Sequence, residues 1–171
     1  MVNKLVAIKT TFIGYPRVGK STLISLLKGK MPDLAYNPTV LIDFESIKIG
    51  NSTELKIFDI AGQASFEPYW DQFIENSVLN VVVTDSKPQN VLKTRMIVEK
   101  LNKVKGSRTI ALANKQDIEG HLSSNRVENV LGIKTYPMVA IDPKNKEKLY
   151  YILIRELLTS MGIDPEEEDD Q

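Results

Sequence analysis

Strand-like and helical patterns alternate along almost the whole chain, and this alternation limits the possible folds more than any other feature. Runs rich in Val, Ile, Leu and Phe predict six strands, at residues 5–13, 42–49, 55–60, 78–84, 108–113 and 136–141. Helical spacing between them predicts five helices, at residues 20–27, 66–75, 89–104, 125–130 and 145–161. Such a chain forms a mostly parallel sheet with helices on both faces. The short polar link at 50–53 is typical of a hairpin, so one strand is predicted to be antiparallel.

The bulk composition predicts one globular domain with a short acidic end. The chain has 171 residues, 42% of them hydrophobic, with 22 basic and 22 acidic side chains. Residues 1–162 are assigned to the domain, and residues 163–171, rich in Glu and Asp, to a tail predicted to be disordered. The balanced charge argues against a nucleic-acid-binding surface, because such a surface needs a basic face.

The sequence also restricts the ways in which the protein can be attached to a membrane. It contains no cysteine, which excludes disulfides, thiolate metal sites and C-terminal prenylation. Residue 2 is Val2, whereas N-myristoylation requires glycine at that position. We therefore expect a cytoplasmic protein without a covalent lipid anchor. Peripheral contact with a membrane through a partner stays open.

The stretch GYPRVGKST, residues 14–22, has the spacing of a phosphate-binding loop between a strand and a helix. Glycines let the backbone N–H groups of such a loop curl around phosphate oxygens at the start of the helix. Lys20 is predicted to reach the β- and γ-phosphates, and Ser21 to bind Mg²⁺. The fold class is therefore an α/β P-loop NTPase. Nucleotide contacts are predicted for Gly14, Arg17, Val18, Gly19, Lys20, Ser21 and Thr22.

An unusual proline, Pro16, lies in the middle of this loop and has no backbone N–H to donate. The wording of the loop resembles that of the Obg-type GTPases, in which a proline occupies the same position. We therefore do not expect Pro16 to prevent nucleotide binding. Its neighbour Arg17 is the only arginine that its position places near the phosphates. We expect the Arg17 side chain to face solvent or a carboxylate rather than the reacting phosphate.

A second motif, DIAGQ at residues 59–63, follows the third predicted strand. Asp59 can hold Mg²⁺ through water, and Gly62 allows its N–H to approach a γ-phosphate closely. Gln63 can orient the attacking water. Upstream, the hydroxyl of Thr39 can join the Mg²⁺ shell when GTP is bound. The predicted metal ligands are Ser21, Thr39 and Asp59, and the predicted catalytic residues are Gln63 and Lys20.

A third motif, NKQD at residues 114–117, follows the fifth predicted strand and can select the base. The carboxylate of Asp117 can accept hydrogen bonds from N1–H and the 2-amino group of guanine. Adenine offers neither donor and would leave that carboxylate unpaired, which makes the discrimination strong. The stem of Lys115 can lie along the base, and Asn114 can tie its loop to the phosphate loop. A backbone N–H at Ala140 or Ile141 can meet the guanine O6.

Together these motifs resemble the small GTPases of the Ras superfamily, and the resemblance is strongest to the ADP-ribosylation-factor branch. It covers roughly residues 5–160. The runs that carry it are NPTV at 37–40, FDIAGQ at 58–63, PYW at 68–70 and NKQD at 114–117. Ala61 stands where that branch usually has glycine, and the phosphate loop is not worded as in the branch. These departures suggest a prokaryotic or deeply branching member.

The resemblance implies a six-stranded domain that switches between GTP and GDP with Mg²⁺ and hydrolyses GTP slowly. It also implies an exchange factor, an activator and effectors that contact the stretches from Thr39 to Phe44 and from Gln63 to Phe73. An apolar patch of Ile42 or Phe44, Phe58 and Phe73 can form part of that surface, although such residues are more often core. Trp70 is expected to pack rather than to contact a partner.

Two other functions remain open from the residues alone. One is a metabolic P-loop enzyme such as a nucleotide kinase, which needs an acceptor site and has no use for the NKQD motif. The other is a GTP-binding scaffold or receptor subunit with little hydrolysis. The presence of Gln63 argues against the scaffold, whereas Pro16 and Ala61 keep it possible.

Overall fold

The computed structural model describes residues 6–31, 35 and 41–165 of the chain. The sheet contains β1 (Val6–Ile13), β2 (Ile42–Ile49), β3 (Thr53–Ile60), β4 (Leu79–Thr84), β5 (Arg108–Ala113) and β6 (Thr135–Pro137). The helices are α1 (Lys20–Leu27), α2 (Trp70–Ile74), α3 (Pro88–Leu101), α4 (Ser124–Leu131) and α5 (Asn145–Ser160), with a 3-10 helix at Ala64–Tyr69.

The six strands form one mixed sheet in the order β2-β3-β1-β4-β5-β6. Strand β2 runs antiparallel to β3, with Ile49 opposite Thr53 beside the turn, and the other pairs are parallel. The α/β class, the strand count and the single antiparallel strand predicted from the sequence are thus confirmed. Because the parallel strands point the same way, the loops at their carboxyl ends meet along one edge.

The core lies in two layers, one on each face of the sheet. Neighbouring residues of one strand face opposite layers, as Phe12 and Ile13 do in β1. One layer packs the sheet against α1 and α5, and the other packs it against α2, α3 and α4. Central strand β4 is buried along its whole length. This continuous burial is typical of a parallel sheet covered on both faces.

Two predicted elements differ most from the structure, and a proline explains one of these differences. The helix expected at 66–75 is a 3-10 helix followed by the short helix α2. Pro68 lies inside this segment, where its missing N–H and its ring prevent a continuous α-helix. The strand expected at 136–141 is only Thr135–Pro137, although the Met138 N–H still donates to the Ala113 carbonyl of β5 at 2.9 Å. After Pro137 the chain turns away as a loop beside the edge where ligands bind.

The chain beyond α5 is described only as far as Pro165. The helix ends at Ser160, Gly162 adopts a left-handed φ of 76°, and the Ile163 N–H donates to the Leu158 carbonyl at 3.0 Å. This arrangement closes the helix in the way usual for a glycine cap. The acidic residues 166–170 and Gln171 lie outside the described residues, so the disordered tail stays a prediction. Within the described part of the chain, no helix is both long and apolar enough to cross a bilayer.

Two phenylalanines of the sheet allow a direct test of these layers. Phe12 is completely buried, whereas Phe44 is 53% exposed. We expect Phe12→Ala to lower the free energy of unfolding by about 3–5 kcal/mol, because it leaves a cavity in the core. Phe44→Ala should lower it by about 1 kcal/mol or less. Urea denaturation measures both changes, and equal losses would contradict the assignment of Phe44 to the surface.

Candidate nucleotide-binding site

The three motifs predicted from the sequence lie in loops at the carboxyl edge of the sheet. The phosphate loop joins β1 to α1, the DIAGQ motif ends β3, and the NKQD motif follows β5. These strands are neighbours of β1 or β4, so their loops are held side by side. Thr39 lies outside the described residues, and its predicted role as a metal ligand stays a prediction.

The phosphate loop makes a tight turn that depends on its glycines. Gly19 has φ 102°, and a Cβ there would lie 2.3 Å from the side-chain nitrogen of Asn114. A Cβ on buried Gly14 would lie 2.2 Å from the carbonyl oxygen of Val83. Arg17 has a left-handed φ of 65°, which is uncommon for a residue with a Cβ. Pro16 and Arg17 are both exposed, at the outer surface of the loop.

The side chain of Lys20 is buried beneath this loop, and its ammonium group is bonded to the loop backbone. Only 7% of the residue is exposed, and its Nζ donates to the carbonyls of Gly14 at 2.8 Å and Tyr15 at 3.2 Å. Burial lowers the pKa of Lys20, and the charge of Asp59 opposes that shift. The two carbonyls fix the ammonium group at the concave side of the loop. A phosphate bound there would meet a desolvated positive charge, which strengthens the attraction.

Ser21 and Asp59 meet at the start of α1 and the end of β3. The Ser21 hydroxyl donates to Oδ2 of Asp59 at 2.5 Å, so the two predicted metal ligands lie together. A hydroxyl and a carboxylate are hard oxygen donors of the kind that Mg²⁺ prefers. The described residues contain no group of three or more His, Cys, Asp or Glu side chains suited to a metal. A site with few protein ligands is typical of Mg²⁺, which keeps several waters and binds substrate phosphates.

Gly62 brings the DIAGQ motif into direct contact with the phosphate loop. A Cβ at residue 62 would lie 2.0 Å from the carbonyl oxygen of Gly14 and 2.8 Å from Cα of Tyr15. Only a glycine allows so close an approach of two backbones. The next residue, Gln63, is half-buried and extended, and the 3-10 helix begins directly after it. The end of β3 is therefore placed where it can respond to whatever the phosphate loop holds.

Trp70 fixes the far end of this segment. Its side chain is buried in the layer that packs the sheet against α2, α3 and α4, which we call the α2–α3 layer. Its indole N–H donates to the Ala61 carbonyl at 3.1 Å. The expectation that Trp70 packs inside the protein is confirmed. The bond anchors the backbone one residue before Gly62, so packing on the helical side positions the segment that touches the phosphate loop.

Asn114 links the base motif to two other loops through one buried amide. Its Nδ2 donates to the Val18 carbonyl at 2.9 Å, and its Oδ1 accepts from the Ala140 N–H at 3.0 Å. Nζ of Lys115 donates to the Arg17 carbonyl at 2.7 Å, which adds a second tie to the phosphate loop. The predicted tie between Asn114 and the phosphate loop is thus present. A guanine O6 at Ala140 would share the N–H that Asn114 accepts here.

The remaining base-contact candidates lie at the open side of the site. Asp117 and Ile141 are both exposed, next to the buried Asn114 and Ala140. An exposed carboxylate beside a rigid loop is free to meet a ligand that enters from solvent. Contacts connect the phosphate loop to Gly62, Asn114 and Lys115, and Asn114 to Ala140, whereas the roles of Thr22, Asp117 and Ile141 stay predictions.

One residue at this edge was missed by the sequence analysis. Ser86 follows β4 and bonds to the backbone of the base motif, with its hydroxyl donating to the Asn114 carbonyl at 2.7 Å. The available signal was the polar sequence Thr84-Asp85-Ser86 directly after a buried apolar strand, at the edge where ligands bind.

The contact between Gly62 and Gly14 predicts a strong effect of a single methyl group. Gly62→Ala should lower the free energy of unfolding by about 1–3 kcal/mol, because backbone atoms cannot move aside as a flexible side chain can. Ala64→Ser is the control, since it adds one atom at an exposed position of the same segment. Chemical denaturation of both variants measures the difference. Equal stabilities would show that the two backbones do not touch in solution.

Comparisons with known proteins agree with this geometry. The model of the ADP-ribosylation factor family matches residues 1–164. ADP-ribosylation factor-like protein 2 of Drosophila melanogaster is 27% identical over 126 residues, which are 71% of this chain and 67% of that protein. ADP-ribosylation factor-like protein 14 of Mus musculus is 29% identical over 127 residues, 71% of this chain and 66% of that protein. The factor-like protein 2 of Arabidopsis thaliana is 30% identical over 127 residues, with 72% and 68% covered. The match thus spans about two thirds of each relative, and the chain belongs to the ADP-ribosylation factor family, a branch of the small GTPases.

Proposed function

We propose that this protein is a molecular switch that binds GTP and GDP with Mg²⁺ and hydrolyses GTP slowly. The observation that carries the proposal is the direct contact among three loops far apart in sequence. Asn114 bonds to the phosphate loop at Val18, and Gly62 lies against the same loop at Gly14. A base selector and a phosphate sensor thus share one frame, an arrangement for which a nucleotide kinase has no need.

The phosphates would be held by backbone N–H groups of residues 17–22 and by the ammonium of Lys20. The N-terminus of α1 adds a favourable dipole for negative charge. Ser21 and Asp59 would hold Mg²⁺, which neutralises charge on the β- and γ-phosphates when it is bound. Thr39 is proposed as a further ligand in the GTP state.

The base would be read by the exposed carboxylate of Asp117. Guanine offers N1–H and the 2-amino group to this carboxylate, whereas adenine offers neither, so adenine nucleotides lose both hydrogen bonds. Lys115, with a left-handed φ of 62° and its Nζ bonded to the Arg17 carbonyl, holds its stem across the site. The stem would cover one face of the base.

Hydrolysis would depend on the placement of one water molecule. As the water oxygen bonds to the γ-phosphorus, the bond from phosphorus to the β–γ bridging oxygen breaks and GDP leaves. Gln63 would orient that water, and Lys20 would stabilise the charge that develops on the transferred phosphoryl group. We propose a slow intrinsic rate, because no arginine of the phosphate loop is placed for a cis contribution apart from the exposed Arg17.

Single-turnover hydrolysis tests this proposal. The protein is loaded with GTP in Mg²⁺, and conversion to GDP is followed for the wild type and for Gln63→Leu. We expect slow conversion in the wild type and a rate lower by roughly tenfold to a hundredfold in the variant, because misplacing the reacting water is costly. Gln72→Leu, an exposed change in α2, is the control and should convert at the wild-type rate.

The outcomes separate the candidate functions. GTP that persists in both proteins would favour the alternative of a GTP-binding scaffold or receptor subunit with little hydrolysis. Failure to bind any guanine nucleotide would overturn the reading of the NKQD motif and the switch together.

We propose that partners bind the uncovered outer face of β2 and β3. The rings of Phe44 and Phe58 meet edge to face there, with centroids 5.2 Å apart. Lys56 lies over Phe44 at 5.3 Å and Lys9 over Phe58 at 4.8 Å. Phe44 is exposed and Phe58 is half-buried, and aromatic rings bordered by cations are typical of protein-recognition surfaces. The face includes Phe44, which belongs to the predicted partner stretch from Thr39 to Phe44.

The other residues proposed for the apolar patch serve mainly in packing. Ile42 and Phe73 are half-buried against the α2–α3 layer. They would link the outer face to the segment that contacts the phosphate loop, while Phe44 and Phe58 would meet the partner. We also propose that the protein acts in the cytoplasm and reaches membranes only through such a partner.

Capture on immobilised protein tests the partner face. Protein loaded with a non-hydrolysable GTP analogue should retain a partner from a lysate of its own cells, and GDP-loaded protein should not. Phe44→Ala should lose that partner while it binds nucleotide normally, because the ring is exposed and is not one of the proposed nucleotide contacts. Leu92→Ala, exposed on α3, is the matched control. Retention by Phe44→Ala would place the contact elsewhere.

A further inference from the structure

Ser86 stands out among the residues that the proposed function does not use. It follows β4, is completely buried and adopts a left-handed φ of 67°. A residue with a Cβ in this conformation is strained, and such strain persists only where the surroundings impose it. Glycine would adopt this left-handed φ with less strain. The presence of serine therefore points to a role for its hydroxyl group.

The Ser86 hydroxyl is bonded on both sides of Lys115, in the base motif. It donates to the carbonyl of Asn114 at 2.7 Å and accepts from Nε2 of Gln116 at 2.8 Å. The same Gln116 nitrogen donates to the carbonyl of Leu122 at 2.9 Å. The Leu122 N–H in turn donates to the Ser86 carbonyl at 2.8 Å, which closes the network.

This network holds a turn that has no regular secondary structure of its own. Lys115 also has a left-handed backbone conformation. Nδ1 of His121 lies 3.2 Å from the Lys115 carbonyl oxygen. Asp117 comes directly after Gln116 and is exposed. Its position depends on the backbone of the residues before it. A buried hydroxyl that fixes residues 114 and 116 therefore also fixes the start of the base-reading residue.

We propose that Ser86 is a positioning residue for guanine recognition, which it controls by holding the 114–117 turn in register with the base. The inference rests on the proposed role of Asp117. Two hydrogen bonds from one carboxylate to N1–H and the 2-amino group require close alignment, because hydrogen bonds weaken steeply with angle. Loss of the hydroxyl would thus reduce the contribution of the 2-amino group more than the affinity for the phosphates.

Nucleotide discrimination tests the proposal in the full chain. Ser86→Gly removes the hydroxyl and relieves the left-handed strain, so folding is spared while positioning is lost. We expect GDP to dissociate about tenfold faster, the effect of roughly one lost hydrogen bond. The preference for GDP over IDP, which lacks the 2-amino group, should fall by about threefold or more. Fluorescent GDP and competition by IDP and ADP give these values.

Ser77→Gly is the matched control. Ser77 is a buried serine at the other end of β4, and its hydroxyl bonds to Thr11 at 2.5 Å, far from the base motif. This variant should keep the dissociation rate and the GDP/IDP preference within about twofold of the wild type, even if it melts at a lower temperature.

A second variant allows the proposal to be tested even if Ser86→Gly does not fold. Gln116→Ala breaks the network at a half-buried position, and it should shift the GDP/IDP preference in the same direction if Ser86→Gly does not fold. An unchanged preference in both variants, with or without faster release, would overturn the proposal and leave Ser86 a structural residue. A wild type that does not prefer GDP to ADP would instead refute the role of Asp117 itself.

Discussion

The site depends first on the buried side chain of Asn114. Its amide group donates to the phosphate loop and accepts from the loop after β6, so one residue joins three segments that the sequence keeps apart. An amide is suited to this task because it carries donors and an acceptor on one rigid plane and has no charge to desolvate. A buried amide with unmade bonds would be costly, so the three loops are held in one arrangement.

The shape of the phosphate loop likewise depends on close contacts between segments. Glycines at 14, 19 and 62 remove side chains wherever two backbones or a backbone and an amide come into contact. The space that is left is lined by backbone dipoles and by the ammonium of Lys20. Burial lowers the pKa of Lys20, and the charge of the Asp59 carboxylate, which also meets Ser21, opposes that shift. Phosphate and Mg²⁺ would complete this charge arrangement.

The sheet separates two kinds of surface. Its central strands are covered on both faces and provide the rigid base from which the loops project. At the β2 edge of the sheet, the described residues leave one face of β2 and β3 uncovered, with two aromatic rings bordered by lysines. The end of β3 touches the phosphate loop through Gly62, so the exposed face and the phosphate site share one strand. Strand β3 is therefore a possible route by which a structural change at the Gly62 contact could reach the proposed partner face.

Much of this was readable from the sequence, since local patterns encode local structure. The alternation of strand and helix patterns determined the fold class, and the three motifs determined the phosphate loop, the β3 end and the base loop. Two elements were shorter than their patterns predicted: Pro68 divides the segment at 66–75, and β6 covers only Thr135–Pro137. The role of Ser86 was decided only by the tertiary structure. Its hydroxyl meets the Asn114 carbonyl across 28 residues of chain, and no spacing rule predicts which strand end will face which turn. The sequence thus determined which chemistry is present, whereas packing of the strands side by side decided which groups hold it in place.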